Sequence, residues 1–129
     1  MKKTLFKLLL AAPLAAAAQA HVPTEKLILS GDPTQIASGY LHCGAVMSLL
    51  GNAAIKTNPD EGAGYIKIAQ KYWKLYGNTV DMRIPDKKRE FESLSFSSVK
   101  RYGEMAQSNA RRPLLLADFT FCEKWSKEL

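Results

Sequence analysis

The chain has 129 residues, of which 47% are apolar and 23% charged, with a net charge of +6. That apolar share supports a packed core and argues against a disordered chain. Three of the 18 basic residues, Lys2, Lys3 and Lys7, crowd the first seven positions, so residues 21–129 hold 15 basic against 12 acidic residues. An excess this small makes no electrostatic track for a nucleic acid, and the apolar runs after residue 20 are too short to span a membrane.

Residues 1–20 carry the three parts of a cleavable secretory signal. The lysines form a basic start, Leu8–Ala18 an apolar stretch too short for a spanning helix, and Ala18-Gln19-Ala20 the small residues that signal peptidase reads. The sequence therefore predicts a signal peptide over 1–20, an extended segment over 21–32 and one helical domain over 33–129. The expected location is a Gram-negative-type periplasm or the medium beyond it. In such an oxidising compartment Cys43 and Cys122, the two cysteines of the chain, are expected to pair. A metal site would want more ligands at short spacing. A catalytic thiol would want a base, and His42, adjacent to Cys43, faces elsewhere on a helix.

Helix signals recur along the domain. Asp32-Pro33-Thr34-Gln35 supplies an N-cap, a first-turn proline and a glutamine placed for a capping box. Ile36, Tyr40, Cys43, Met47 and Leu50 then fall on one face, and Gly51 reads as the stop. Asn58-Pro59-Asp60-Glu61 opens a second helix with acids where the helix dipole favours them. Its face is Ile66, Ala69, Tyr72, Trp73 and Tyr76, and Gly77 reads as its end. Residues 78–85 read as an extended connector, with Val80, Met82 and Ile84 alternating ahead of Pro85. A third helix is expected to begin after Asp86 and run to about Gln107, although between Ser93 and Ser98 serines alternate with Leu94 and Phe96 in a pattern that also fits a short strand. The fourth follows Pro113, with Leu115, Phe119, Cys122 and Trp125 inward.

Four helices joined by short loops predict an all-α, antiparallel four-helix bundle. At 1.5 Å per residue, Cys43 lies about as far from the end of the first helix as Cys122 lies from the start of the fourth. A Cys43–Cys122 disulfide can therefore close the bundle.

The residues that could carry chemistry are few. Cleavage after Ala20 would expose His21, whose α-amino group and imidazole are a nitrogen pair suited to copper, as in copper-brace proteins. A brace needs a second histidine, and the other one is His42. Those families are also rich in β-structure. Lys87, Lys88 and Arg89 at the third helix start, and Arg111 and Arg112 before the fourth, read either as anion or acidic-partner sites or as solvated loop charge. Tyr65 and Trp73 read either as core or as an exposed patch for a partner. Glu90 and Glu92 point to different sides of a helix, the serines at 93, 95, 97 and 98 lack an activating histidine, and Asp118 reads as charge balance for Arg111 and Arg112. The expectation is a non-enzymatic exported protein without cofactor that binds another protein, as an inhibitor or immunity protein does. Copper or other metal handling through His21 and a periplasmic holdase chaperone are the alternatives.

Overall fold

Each of the four long helices carries a proline in its first two positions, where the missing N–H is no loss and the fixed φ already suits a helix. In the computed structural model, which describes residues 21–129, the chain is all-helical, with five helices and no strand among those residues. They are α1 (Thr24–Ile28), α2 (Pro33–Ala54), α3 (Pro59–Thr79), α4 (Pro85–Ala106) and α5 (Arg112–Ser126). The expected signal peptide lies outside the described residues. None of the helices is long and apolar enough to cross a membrane.

Side chains fix two of the starts. Asp32 accepts from the backbone N–H of Thr34 at 2.9 Å, and Asn58 accepts from that of Glu61 at 3.2 Å. Asn58 also donates to the Glu61 carboxylate at 3.3 Å, so that start is held from both sides. Within 21–32, read as extended, residues 24–28 instead form α1, which packs on α2 and α5. The ambiguous stretch around Ser93–Ser98 is helical and belongs to α4.

The middle of the molecule is α2, which touches every other helix. Its buried residues Cys43, Val46 and Met47 meet Tyr72 of α3, Tyr102 and Met105 of α4, and Leu115 and Cys122 of α5. Cys43 and Cys122 are joined by a disulfide with their Cα atoms 5.4 Å apart, tying α2 to α5. One helix over, the Tyr72 hydroxyl donates to the Cys122 carbonyl at 2.6 Å. Between α3 and α4 the contact is aromatic: Phe91 stacks on Tyr76 at 5.3 Å and meets Trp73 edge-on at 5.6 Å.

Gly51 does not stop α2, which runs on to Ala54. Its role is to let α3 approach. A Cβ on Gly62 of α3 would lie 2.5 Å from the Ile55 backbone nitrogen and 2.7 Å from the Gly51 carbonyl oxygen. Backbone meets backbone there, so nothing can move aside cheaply. Farther along α2, Gly44 leaves room for the Trp73 ring, which a Cβ would meet at 2.5 Å.

Gly62→Ala is expected to destabilise by about 1–3 kcal/mol through overpacking. Gly64→Ala, two residues on in the same helix with nothing within 4 Å of a new Cβ, is expected to stabilise by up to about 1 kcal/mol. Urea unfolding of both variants reads the difference, and equal effects would contradict the close approach. Cys122→Ser is expected to cost about 4 kcal/mol in the same measurement, since it frees a loop of 79 positions in the unfolded chain.

Candidate functional site

A carboxylate on the inward face of α5 organises the polar interior. Asp118 is 2% exposed. Its Oδ1 accepts from the Thr24 backbone N–H at 3.0 Å and from the Thr24 hydroxyl at 3.2 Å. Its Oδ2 accepts from the Tyr102 hydroxyl at 2.7 Å. The His21 Nε2 lies 2.9 Å from the same Oδ2, at ion-pair distance but out of line for a hydrogen bond. Burial by itself pushes the Asp118 carboxyl up, but the contacts from His21, Tyr102 and Thr24 outweigh it and hold the group below the usual carboxylate range. Burial, reinforced by the Asp118 charge, drives the Tyr102 hydroxyl far up, so it remains a donor at any ordinary pH.

Tyr102 connects this interior to a surface groove. Its ring meets the imidazoles of His21 and His42 edge-on, at 6.0 and 6.2 Å, and the Arg101 guanidinium stands 5.6 Å from its centroid. Arg101 Nη2 lies 2.9 Å from His42 Nε2. A guanidinium only donates, so His42 must accept through Nε2 and carry its proton on Nδ1. Burial first, and the Arg101 charge second, lower the His42 pKa to about 4. His42 Nδ1 and Arg101 Nε are both buried without a hydrogen-bond partner. No carboxylate lies within 4 Å of the guanidinium among the described residues.

His42 and Arg101 lie in a groove of about 960 Å³ between α2, α4 and the C-terminal end of α3. Ile36, Ala37, Leu41, Val80 and Leu94 give it apolar walls, and Lys87 and Glu90 line it as well. Ser97 and Ser98 also line it, but no hydrogen bond joins either to His42, whose Nε2 is taken by Arg101. The arrangement can bind: it offers a fixed, half-buried cation at the edge of an apolar surface. A second, shallower depression between α3 and α4 is lined by Trp73, Phe91, Phe96 and Val99.

The sequence-predicted candidates are dispersed. Lys87 pairs with Glu90 at 3.6 Å and Arg89 pairs with Asp86, so the cluster at the start of α4 is largely balanced within its own helix, and Lys88 is exposed beside it. Arg112 donates to the Ala106 carbonyl at 3.0 Å, and Arg111 buries its Nε without a partner. No hydrogen bond or ion pair among the described residues joins these two clusters. Tyr65 packs edge-on against Phe119 at 5.1 Å, and its hydroxyl donates to Glu61 at 2.6 Å, which with slight burial pushes its pKa up to about 12. Trp73 lies over Gly44 with one edge in the second depression. The His21 side chain is 1% exposed and turned to Asp118, and the described residues hold no group of three His, Cys, Asp or Glu placed for a metal.

Sequence reasoning missed Asp118 and Arg101. Asp118 is no partner of Arg111 and Arg112; it is the buried hub. The available signal was its spacing, three residues after Leu115 and four before Cys122, which puts a carboxylate on the inward face of α5.

The pH dependence of stability follows. A folded-state pKa of about 4 for His42, against 6.5 ordinarily, means that the unfolded chain binds the extra proton more readily between those values. Stability is therefore full above pH 6.5 and falls as the pH drops toward 4, by at most about 3 kcal/mol. Asp118 adds its own loss only below its ordinary 3.8. His42→Gln keeps an acceptor for Arg101 and removes the titration. Its melting temperature should change much less than that of the parent chain between pH 6.5 and 4, and parallel profiles would refute the assignment. Compared with known proteins, the chain matches no family model, no curated protein and no solved structure.

Proposed function

We propose that the protein is an exported, non-enzymatic binding protein that holds another protein in the periplasm, as an inhibitor or immunity protein does. In this reading its long helices act as an antiparallel bundle, stiffened by the disulfide, that presents one helix to the partner. The observation that carries it is the position of α4 between two apolar depressions. On one side Leu94 faces the groove shared with α2, and on the other Phe96, 73% exposed, stands with Trp73, Phe91 and Val99. Aromatic and aliphatic side chains left this open on a small domain are the usual anchors of a protein interface. Charges of both signs rim the same helix, with Lys87 and Arg89 paired to Glu90 and Asp86, and Glu92 and Glu104 beside Lys88 and Lys100. The cation left without a carboxylate at the groove is Arg101, which suits an acidic group on the partner.

Native mass spectrometry of the untagged protein from its own periplasm tests this. The expected spectrum shows a chain beginning at His21 with a second protein at fixed stoichiometry. Phe96→Asp and Leu94→Asp, both at exposed positions, are expected to melt as the parent does and to lose that protein. A bare chain carrying one copper ion would overturn the reading in favour of metal handling through His21, and a partner retained by both variants would remove α4 from the interface.

A further inference from the structure

We infer that the groove between α2 and α4 seats an extended segment of the partner protein, with an acidic side chain of that segment paired to Arg101; this rests on the protein-binding reading above. Three features of the groove define the occupant.

The first is charge. Arg101 makes a single hydrogen bond among the described residues, to an imidazole that must be neutral to accept it. No carboxylate of this chain reaches the guanidinium, because Asp118 is already occupied by Thr24 and Tyr102. A half-buried guanidinium of this kind gains most from a carboxylate that shares its desolvated position. Lys87, at the other end of the groove, already has Glu90 at 3.6 Å. The demand for an anion is therefore at the Arg101 end.

The second is length. Lys87 and Arg101 line the same groove 14 positions apart on one helix, which is about 21 Å at 1.5 Å per residue. About six residues of extended chain cover that distance at ~3.3 Å each.

The third is the pattern of polar groups. Ser38 lies on the α2 wall, and Ser97 and Ser98 on the α4 wall. No hydrogen bond among the described residues uses their hydroxyl groups. A peptide brings N–H and C=O groups that need such partners when they leave water. A hydrocarbon tail would leave the hydroxyls unpaired, so the groove favours a peptide over an amphipathic small acid.

The probe is a hexapeptide, acetyl-Val-Leu-Val-Ser-Val-Asp-amide, titrated into the isotopically labelled protein beside the same peptide ending in Asn. The Asp peptide is expected to shift the backbone amides of Ser38, Leu94 and Ser97 and to bind about tenfold more tightly than the Asn peptide. Arg101→Gln should bring that ratio to about one, while Arg101→Lys, which keeps the charge, should retain part of it. Both variants are checked by their melting curves, and Arg101→Lys keeps the test valid if Arg101→Gln fails to fold. Equal binding of the two peptides, or no shift with either, overturns the inference. Shifts of the same amides by decanoate but by neither peptide overturn it in favour of a small amphipathic acid. A native partner that stays on the Arg101→Gln protein overturns the groove as its seat while leaving protein binding intact. Discrimination between the peptides without any native partner overturns the protein-binding reading instead.

Discussion

Asp118 brings a negative charge into the interior of a small protein, and the chain must deliver donors from several directions to keep it there. An unpaired buried carboxylate would cost several kcal/mol or take up a proton. Thr24 donates from α1 with both its backbone and its hydroxyl and Tyr102 donates from α4, while His21, before α1, stands at ion-pair distance. One turn further along α5, Cys122 is bonded to Cys43 of α2. The position of α5 is thus fixed twice on the same face, once covalently and once by charge. The five-residue α1 is held in two ways, by Leu27 and Ile28 buried against α2 and by Thr24 bound to Asp118.

Tyr102 faces in two directions. Its hydroxyl serves Asp118 inside, while its ring lies near Arg101 and His42 at the groove. The two charges, one buried and one half-buried, are therefore separated by a neutral phenol and not joined in an ion pair. A direct pair would have satisfied both and left the groove without a free cation. The neutral state of His42 belongs to the same arrangement, because protonation would put a second positive charge against Arg101 in a site already short of water.

Much of the architecture was legible in the sequence because it rests on local chemistry. Asp32 caps where it was expected to, prolines open the helices at the predicted starts, and the two cysteines pair as expected. The alternating serines around Leu94 gave a strand-like pattern, and the structure resolves it as helix, with Ser98, Tyr102 and Met105 buried on one side at helical spacing. Gly51 misled, since a glycine ends a helix through positive φ, whereas here it serves a close crossing that only the partner Gly62 reveals. The site was less legible than the fold. Lys87 and Arg89 form a conspicuous run that is balanced within its own turn, while Asp118 and Arg101 are single residues whose meaning comes from elements far away in the chain. Spacing along one helix can flag such a residue; it cannot say that Thr24, 94 positions earlier, will complete it.

That distance has a consequence for the order of events. The hydrogen bond between Thr24 and Asp118 and the bond between Cys43 and Cys122 join α1 and α2 to α5, far along the chain. A chain that enters its compartment N-terminus first can pair α2 with α3 early, but α1 has no carboxylate to dock on until α5 arrives. Until then the apolar face of α2 that will receive Leu115 and Cys122 stays open, and Cys43 remains a thiol without its partner. Closure of this fold thus waits for α5, and a chain cut short before Asp118 would lack both of the fastenings that tie α1 and α2 to that helix.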